Sequence, residues 1–105
     1  MNLPKEIESK FESVINLCID HKVKRLFIFG SLAKGNFTSE SDIDLIVEIE
    51  EEDPIKRGEL LIELWNKLES LFKRKVDLLT SKKINNPFLM REIERSKQLI
   101  YERAS

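Results

Sequence analysis

Apolar residues recur along the chain first at helical spacing, then by alternation, then in both modes again. Ile7, Phe11, Val14, Ile15, Cys18 and Ile19 share one face of a helix that Pro4 opens and that is expected to run to about Lys22. Arg25-Leu26-Phe27-Ile28-Phe29 is a short run of strand formers stopped by Gly30. A polar stretch from Ser31 to Ser41 carries the loop signals Gly35-Asn36 and Thr38-Ser39. Ile43, Leu45, Val47 and Ile49 then alternate as one face of a second strand. An acidic turn, Glu50 to Asp53, leads to Pro54 and a second amphipathic helix with Leu61, Leu64, Trp65, Leu68 and Phe72 on its stripe, ending near Lys73. Val76-Asp77-Leu78-Leu79 predicts a short third strand. Asn85-Asn86-Pro87 opens a last helix in which Leu89, Ile93, Ser96 and Ile100 share a face.

The order α-β-β-α-β-α predicts an α/β (α+β) fold, a small mixed sheet flanked by helices. The strand-helix-strand unit leaves the second and third strands parallel, while the first two, joined by a loop, can pair antiparallel. At 105 residues the chain fits one domain, spanning residues 1–105, with a single core. No apolar run approaches the roughly 18–20 residues of a membrane span, and the N-terminus lacks the basic-then-apolar order of a signal peptide, so a cytoplasmic protein without membrane contact is expected.

Charge narrows the function classes. A net charge of −1 argues against a broad nucleic-acid-binding surface, although it leaves room for a local phosphate pocket. Only five of the 19 acidic residues are Asp, and Asp42, Asp44 and Asp77 are three of them. A Glu-rich chain that switches to the shorter carboxylate at chosen points does so for geometry. Alternation puts Asp42 and Asp44 on the face opposite Ile43 and Leu45, roughly 6.5 Å apart along the strand. Two carboxylates there repel, and a divalent cation removes the conflict. Mg²⁺ is commonly held by one or two carboxylates together with substrate phosphates. With the third strand parallel beside the second, Asp77 reaches the same patch, and three Asp can hold two ions roughly 3.5–4 Å apart. Upstream, Gly30 ends a strand where a missing side chain lets backbone approach a ligand, and Ser31 follows it at the start of a short helix.

Gly30-Ser31, Gly35 and then Ser41-Asp42-Ile43-Asp44-Leu45 resemble the nucleotidyltransferase motif of the DNA polymerase beta superfamily, and most closely its short stand-alone members, the minimal nucleotidyltransferases, or MntA-like proteins. The resemblance covers about Arg25 to Thr80. It implies that Gly30 and Ser31 contact a triphosphate, within a nucleotide loop that also takes in Lys34, Gly35 and Ser41. It implies that Asp42 and Asp44 ligate metal, and that Asp77 completes the triad and helps activate an acceptor hydroxyl. Lys34 stands where many relatives carry Arg, a point charge in place of a planar fork. The implied reaction is Mg²⁺-dependent attack on the α-phosphate of a nucleoside triphosphate, ATP being the expected donor, with release of pyrophosphate. A protein Tyr, Ser or Thr, an RNA end, or a small molecule such as an aminoglycoside could supply the hydroxyl. The resemblance favours the antitoxin half of a toxin–antitoxin pair, its partner a HEPN-domain protein that becomes nucleotidylated and closes the open site. The rival is a binding module that neutralises its partner by contact alone.

Plainer roles compete at several positions. Asp42 and Asp44 could form a turn entering a strand, Asp77 could pair with Arg74 or Lys75, and Ser31 could N-cap a helix. Ser41 also reads as a turn or orienting residue. Cys18 reads as a buried, inert thiol, Trp65 as core, and His21 as a solvated histidine at a helix C-terminus.

Overall fold

A computed structural model describes residues 3–80 and 86–104; Asn85, expected at the start of the last helix, lies outside them. The elements in order are α1 (Lys5–Glu8), α2 (Phe11–Asp20), β1 (Val23–Phe29), α3 (Gly30–Lys34), β2 (Ile43–Ile49), α4 (Pro54–Phe72), β3 (Val76–Leu79), α5 (Pro87–Ser96) and β4 (Gln98–Glu102). The strands form one mixed sheet in the order β3-β2-β1-β4. β1 and β2 are antiparallel and β2 and β3 parallel, as the chain pattern predicts. No helix among the described residues is long and apolar enough to cross a membrane.

One face of the sheet packs on α2 and α4. Leu26 and Ile28 of β1, Ile43, Leu45 and Val47 of β2, and Val76 and Leu78 of β3 meet Val14 and Cys18 of α2 and Leu64, Leu68 and Phe72 of α4. Burial pushes the Cys18 thiol up to about 12, which makes it a packing group rather than a nucleophile. α4 is sharply bounded. Asp53 accepts a hydrogen bond from the Ile55 amide at 2.9 Å, Pro54 takes the first position, and Lys73 closes the helix in the left-handed region.

Three expectations need correction. The first helix is broken at Ser9-Lys10, and Lys10 reaches across to the carbonyl of Leu71 at 2.8 Å. After that break the buried seam of α2 runs Val14, Cys18, His21, leaving Ile19 59% exposed. His21 is therefore not solvated: it is 2% exposed, its Nδ1 donates to the Leu17 carbonyl at 2.7 Å, and its Nε2 faces Glu63 Oε1 at 3.3 Å. The last helix does not reach Ile100. It stops at Ser96, Lys97 turns extended, and Gln98–Glu102 becomes a fourth strand antiparallel to β1. The outer backbone groups of β1 need partners, and β4 supplies them, a tertiary demand that outweighs a helical spacing of apolar residues.

Candidate active site

Sheet register assembles the site. β2 places Asp44 opposite Phe29 of β1 and, on its other side, level with Asp77 of β3. The two Asp alternate away from the core face, which carries Leu45 and Leu78. Their side chains stand side by side across the β2–β3 register, so each ionised carboxylate opposes the other. Partial burial, then the charge of Asp77, then that of Asp42, push the Asp44 carboxyl up to about 6.

Gly30, immediately after β1, sits under this pair. Its φ is +66°, and a Cβ there would collide with Asp44 Oδ2 and lie 3.2 Å from Asp44 Cγ. The close approach that the sequence assigns to a ligand is made first by the Asp44 side chain. Gly35 ends α3 with φ +81°, and a Cβ there would meet nothing within 4 Å, so its requirement is conformational alone. Ser31 lies inside α3 rather than capping it; the N-cap position is Phe29, and no side chain caps the helix. Lys34, in the last turn of α3, is exposed. The Ser41 hydroxyl accepts from the Thr38 amide at 3.0 Å and lies 3.1 Å from Thr38 Oγ1, which makes Ser41 part of a closed turn.

Asp42 stands apart. It is 45% exposed and its carboxylate faces Lys75 Nζ at 4.0 Å. Among the described residues no three His, Cys, Asp or Glu side chains are already placed to hold a metal ion. The chemistry of the donor set still fits a hard cation: Asp44 and Asp77 are level oxygen donors whose like charges a cation would offset, and exposed Asp42 stands two residues before Asp44, at the entry to β2. Neither Arg74 nor Lys75 pairs with Asp77 among the described residues, so the plainer ion-pair role for that residue has no partner.

The third strand is held in place from α4. Trp65 Nε1 donates to the Val76 carbonyl at 2.6 Å, and Glu69 accepts from the Val76 amide at 3.0 Å. These two contacts satisfy the outer edge of β3 one residue before Asp77. Trp65 is thus committed to the helical layer, and the role of Glu69 has no sequence signal beyond its place one turn after Trp65.

The polymerase beta nucleotidyltransferase family matches residues 12–105. The chain belongs to that family. A relative in Methanocaldococcus jannaschii, named as a candidate protein adenylyltransferase, is 42% identical over 97 residues, 92% of each chain. A solved minimal nucleotidyltransferase is 28% identical, with a TM-score of 0.66 over 90% of this chain and 92% of that one. A toxin–antitoxin crystal structure containing AMP-PNP is 26% identical with the same TM-score, over 89% of this chain and 73% of that one. This nucleotidyltransferase accordingly shares its mixed four-stranded architecture with minimal nucleotidyltransferases, as Gly30-Ser31 and Asp42-Ile43-Asp44 imply.

Proposed function

We propose that this nucleotidyltransferase moves AMP from ATP to a hydroxyl of a protein partner, and that Asp42, Asp44 and Asp77 hold the Mg²⁺ it needs. The observation that carries the reading is the Asp44–Asp77 pair beside Gly30, two acids level across β2 and β3 with no ion pair on either among the described residues. Bound Mg²⁺, as one ion or two, supplies charge neutralisation at the phosphates. On this reading Gly30, Ser31 and Gly35 take the triphosphate beside α3, and exposed Lys34 adds a positive charge there. Asp77 takes the proton of the acceptor hydroxyl as its oxygen bonds to the α-phosphorus, and the bond to the bridging oxygen breaks with pyrophosphate leaving.

The choice of a protein acceptor is supported by the relative named as a candidate protein adenylyltransferase and by the similar toxin–antitoxin structure with AMP-PNP. The low net charge weighs against an RNA acceptor. Following the family resemblance, the partner is a HEPN-domain toxin. The test is co-expression with the protein encoded beside it, followed by intact-mass measurement. The expected result is a gain of one or more AMP units on the partner, absent with Asp42→Asn. A partner that binds tightly and is never modified would favour neutralisation by contact instead.

A further inference from the structure

Arg74 is the most heavily committed cation of the described residues. Its side chain is 15% exposed, and its contacts with Thr38, Ser41 and Phe37 fall on the loop that delivers Asp42. Nη1 donates to the carbonyls of Thr38 at 3.1 Å and Ser41 at 2.7 Å. Nη2 donates to Glu6 Oε2 of α1 at 2.7 Å. The guanidinium lies over the Phe37 ring, 4.6 Å from its centroid. The loop is closed on itself by the Ser41 amide donating to the Thr38 carbonyl at 3.1 Å, so Arg74 grips a preformed turn by both of its ends.

The two ends of this contact matter more than its strength. Ser41 immediately precedes Asp42, and Arg74 is three residues before Asp77. The Ile43 amide, just past Asp42, also donates to the carbonyl of Lys75 at 3.1 Å. One planar fork, with donors fixed in one plane, therefore ties the chain entering β2 to the chain entering β3. A lysine, with one rotatable point charge, cannot hold both carbonyls and Glu6 together.

We infer that Arg74 is a positioning residue for nucleotidyl transfer: it sets Asp42 relative to Asp44 and Asp77 by clamping the Thr38–Ser41 turn against the start of β3. The inference rests on the metal-binding reading of the three Asp and names a residue outside them that the reading requires. Glu6 anchors the fork from α1, and Phe37 shields it.

The test uses Mn²⁺ alone as a probe, titrated by electron paramagnetic resonance, with amide hydrogen exchange on the same proteins. Arg74→Ala is expected to weaken Mn²⁺ binding about tenfold and Arg74→Lys about threefold, as loss of a ligand-orienting contact does. Exchange at Thr38 to Asp42 should quicken in both variants, while exchange at Leu45 to Val47 in the middle of β2 stays at the wild-type rate. If Arg74→Ala fails to fold, Arg74→Lys carries both measurements. Wild-type Mn²⁺ affinity in a variant whose loop exchanges faster would overturn the inference and leave Arg74 a structural clamp. Unchanged exchange would overturn it as well. Failure of the underlying reading looks different: wild type and Asp44→Asn would then bind Mn²⁺ equally poorly, and the positioning role would fall with it.

Discussion

Glu48 and Asp44 lie on the same face of β2, four residues apart, and meet opposite surroundings. Glu48 faces Arg25 at 3.0 Å, and Arg25 also holds Glu102 at 2.7 Å. Nearby Glu50 pairs with Arg103 at 2.6 Å, and Glu51 with Lys22 at 3.0 Å. Lys22 and the Asp53 amide hold the Glu51 carboxyl below its ordinary value. Asp44 has Asp77 beside it and a glycine beneath it, and its carboxyl is displaced upward. Acids at the far end of the strand are solved by the chain's own cations. At the near end, among the described residues, neither Asp44 nor Asp77 has an ion pair, and Asp42 has only exposed Lys75 at 4.0 Å. A strand that alternates the same way throughout thus carries paired charge at one end and, on the proposed function, metal-holding charge at the other.

The largest effect should come from removing the conflict itself. Asp44→Asn is expected to cut transfer by about 10²–10³-fold or more, because charge neutralisation at the phosphates is lost. Its metal-free melting temperature should match or exceed that of the wild type, since repulsion goes with the charge. A steep fall in that melting temperature would make Asp44 a structural residue and erase the contrast.

Gly30→Val attacks the same point from below. A side chain at φ +66° costs on the order of 1–2 kcal/mol, and here it also displaces the Asp44 carboxyl. Both stability and transfer should fall, whereas Gly35→Ala, with open space around it, should lose only the conformational part. Equal melting temperatures for the two variants would contradict the contact with Asp44.

The pH profile sharpens the comparison. Asp44 in the folded protein takes its proton at about 6, above the ordinary value of 3.8, so the folded state binds more protons between those limits. Metal-free stability should therefore rise as pH falls from 6 towards 4 and be lost as pH climbs back, by about 1 kcal/mol once solvent screening is allowed for. Chemical denaturation across that range checks it, and Asp44→Asn should flatten the slope. At the far end the smallest change is expected. Glu48→Gln breaks an exposed ion pair and should shift stability by less than about 1 kcal/mol, with transfer unaltered.

Much of this contrast is legible in the amino-acid sequence. Alternation alone puts Asp42 and Asp44 on one face, and the crossover through α4 brings Asp77 level with Asp44. What the pattern misreads is where tertiary demand overrides spacing. Ile100 fits a helical stripe yet serves β4, because β1 needed an outer partner. His21 fits a solvated helix end yet fills the seam after Cys18, because the break at Ser9-Lys10 resets the face that α2 buries. The grip of Arg74 has no sequence signature at all, since two of its three acceptors are backbone carbonyls that every residue carries.

The central claim is that Asp44 and Asp77 stand side by side to hold a cation, and its most direct test is a carbon-13 titration of the Asp44 carboxyl with and without Mg²⁺ and AMP-PNP. The expected midpoint is near 6 in the metal-free protein, falling below the ordinary carboxylate value once the cation and nucleotide are bound. An ordinary midpoint that Mg²⁺ and nucleotide leave unmoved would contradict the claim.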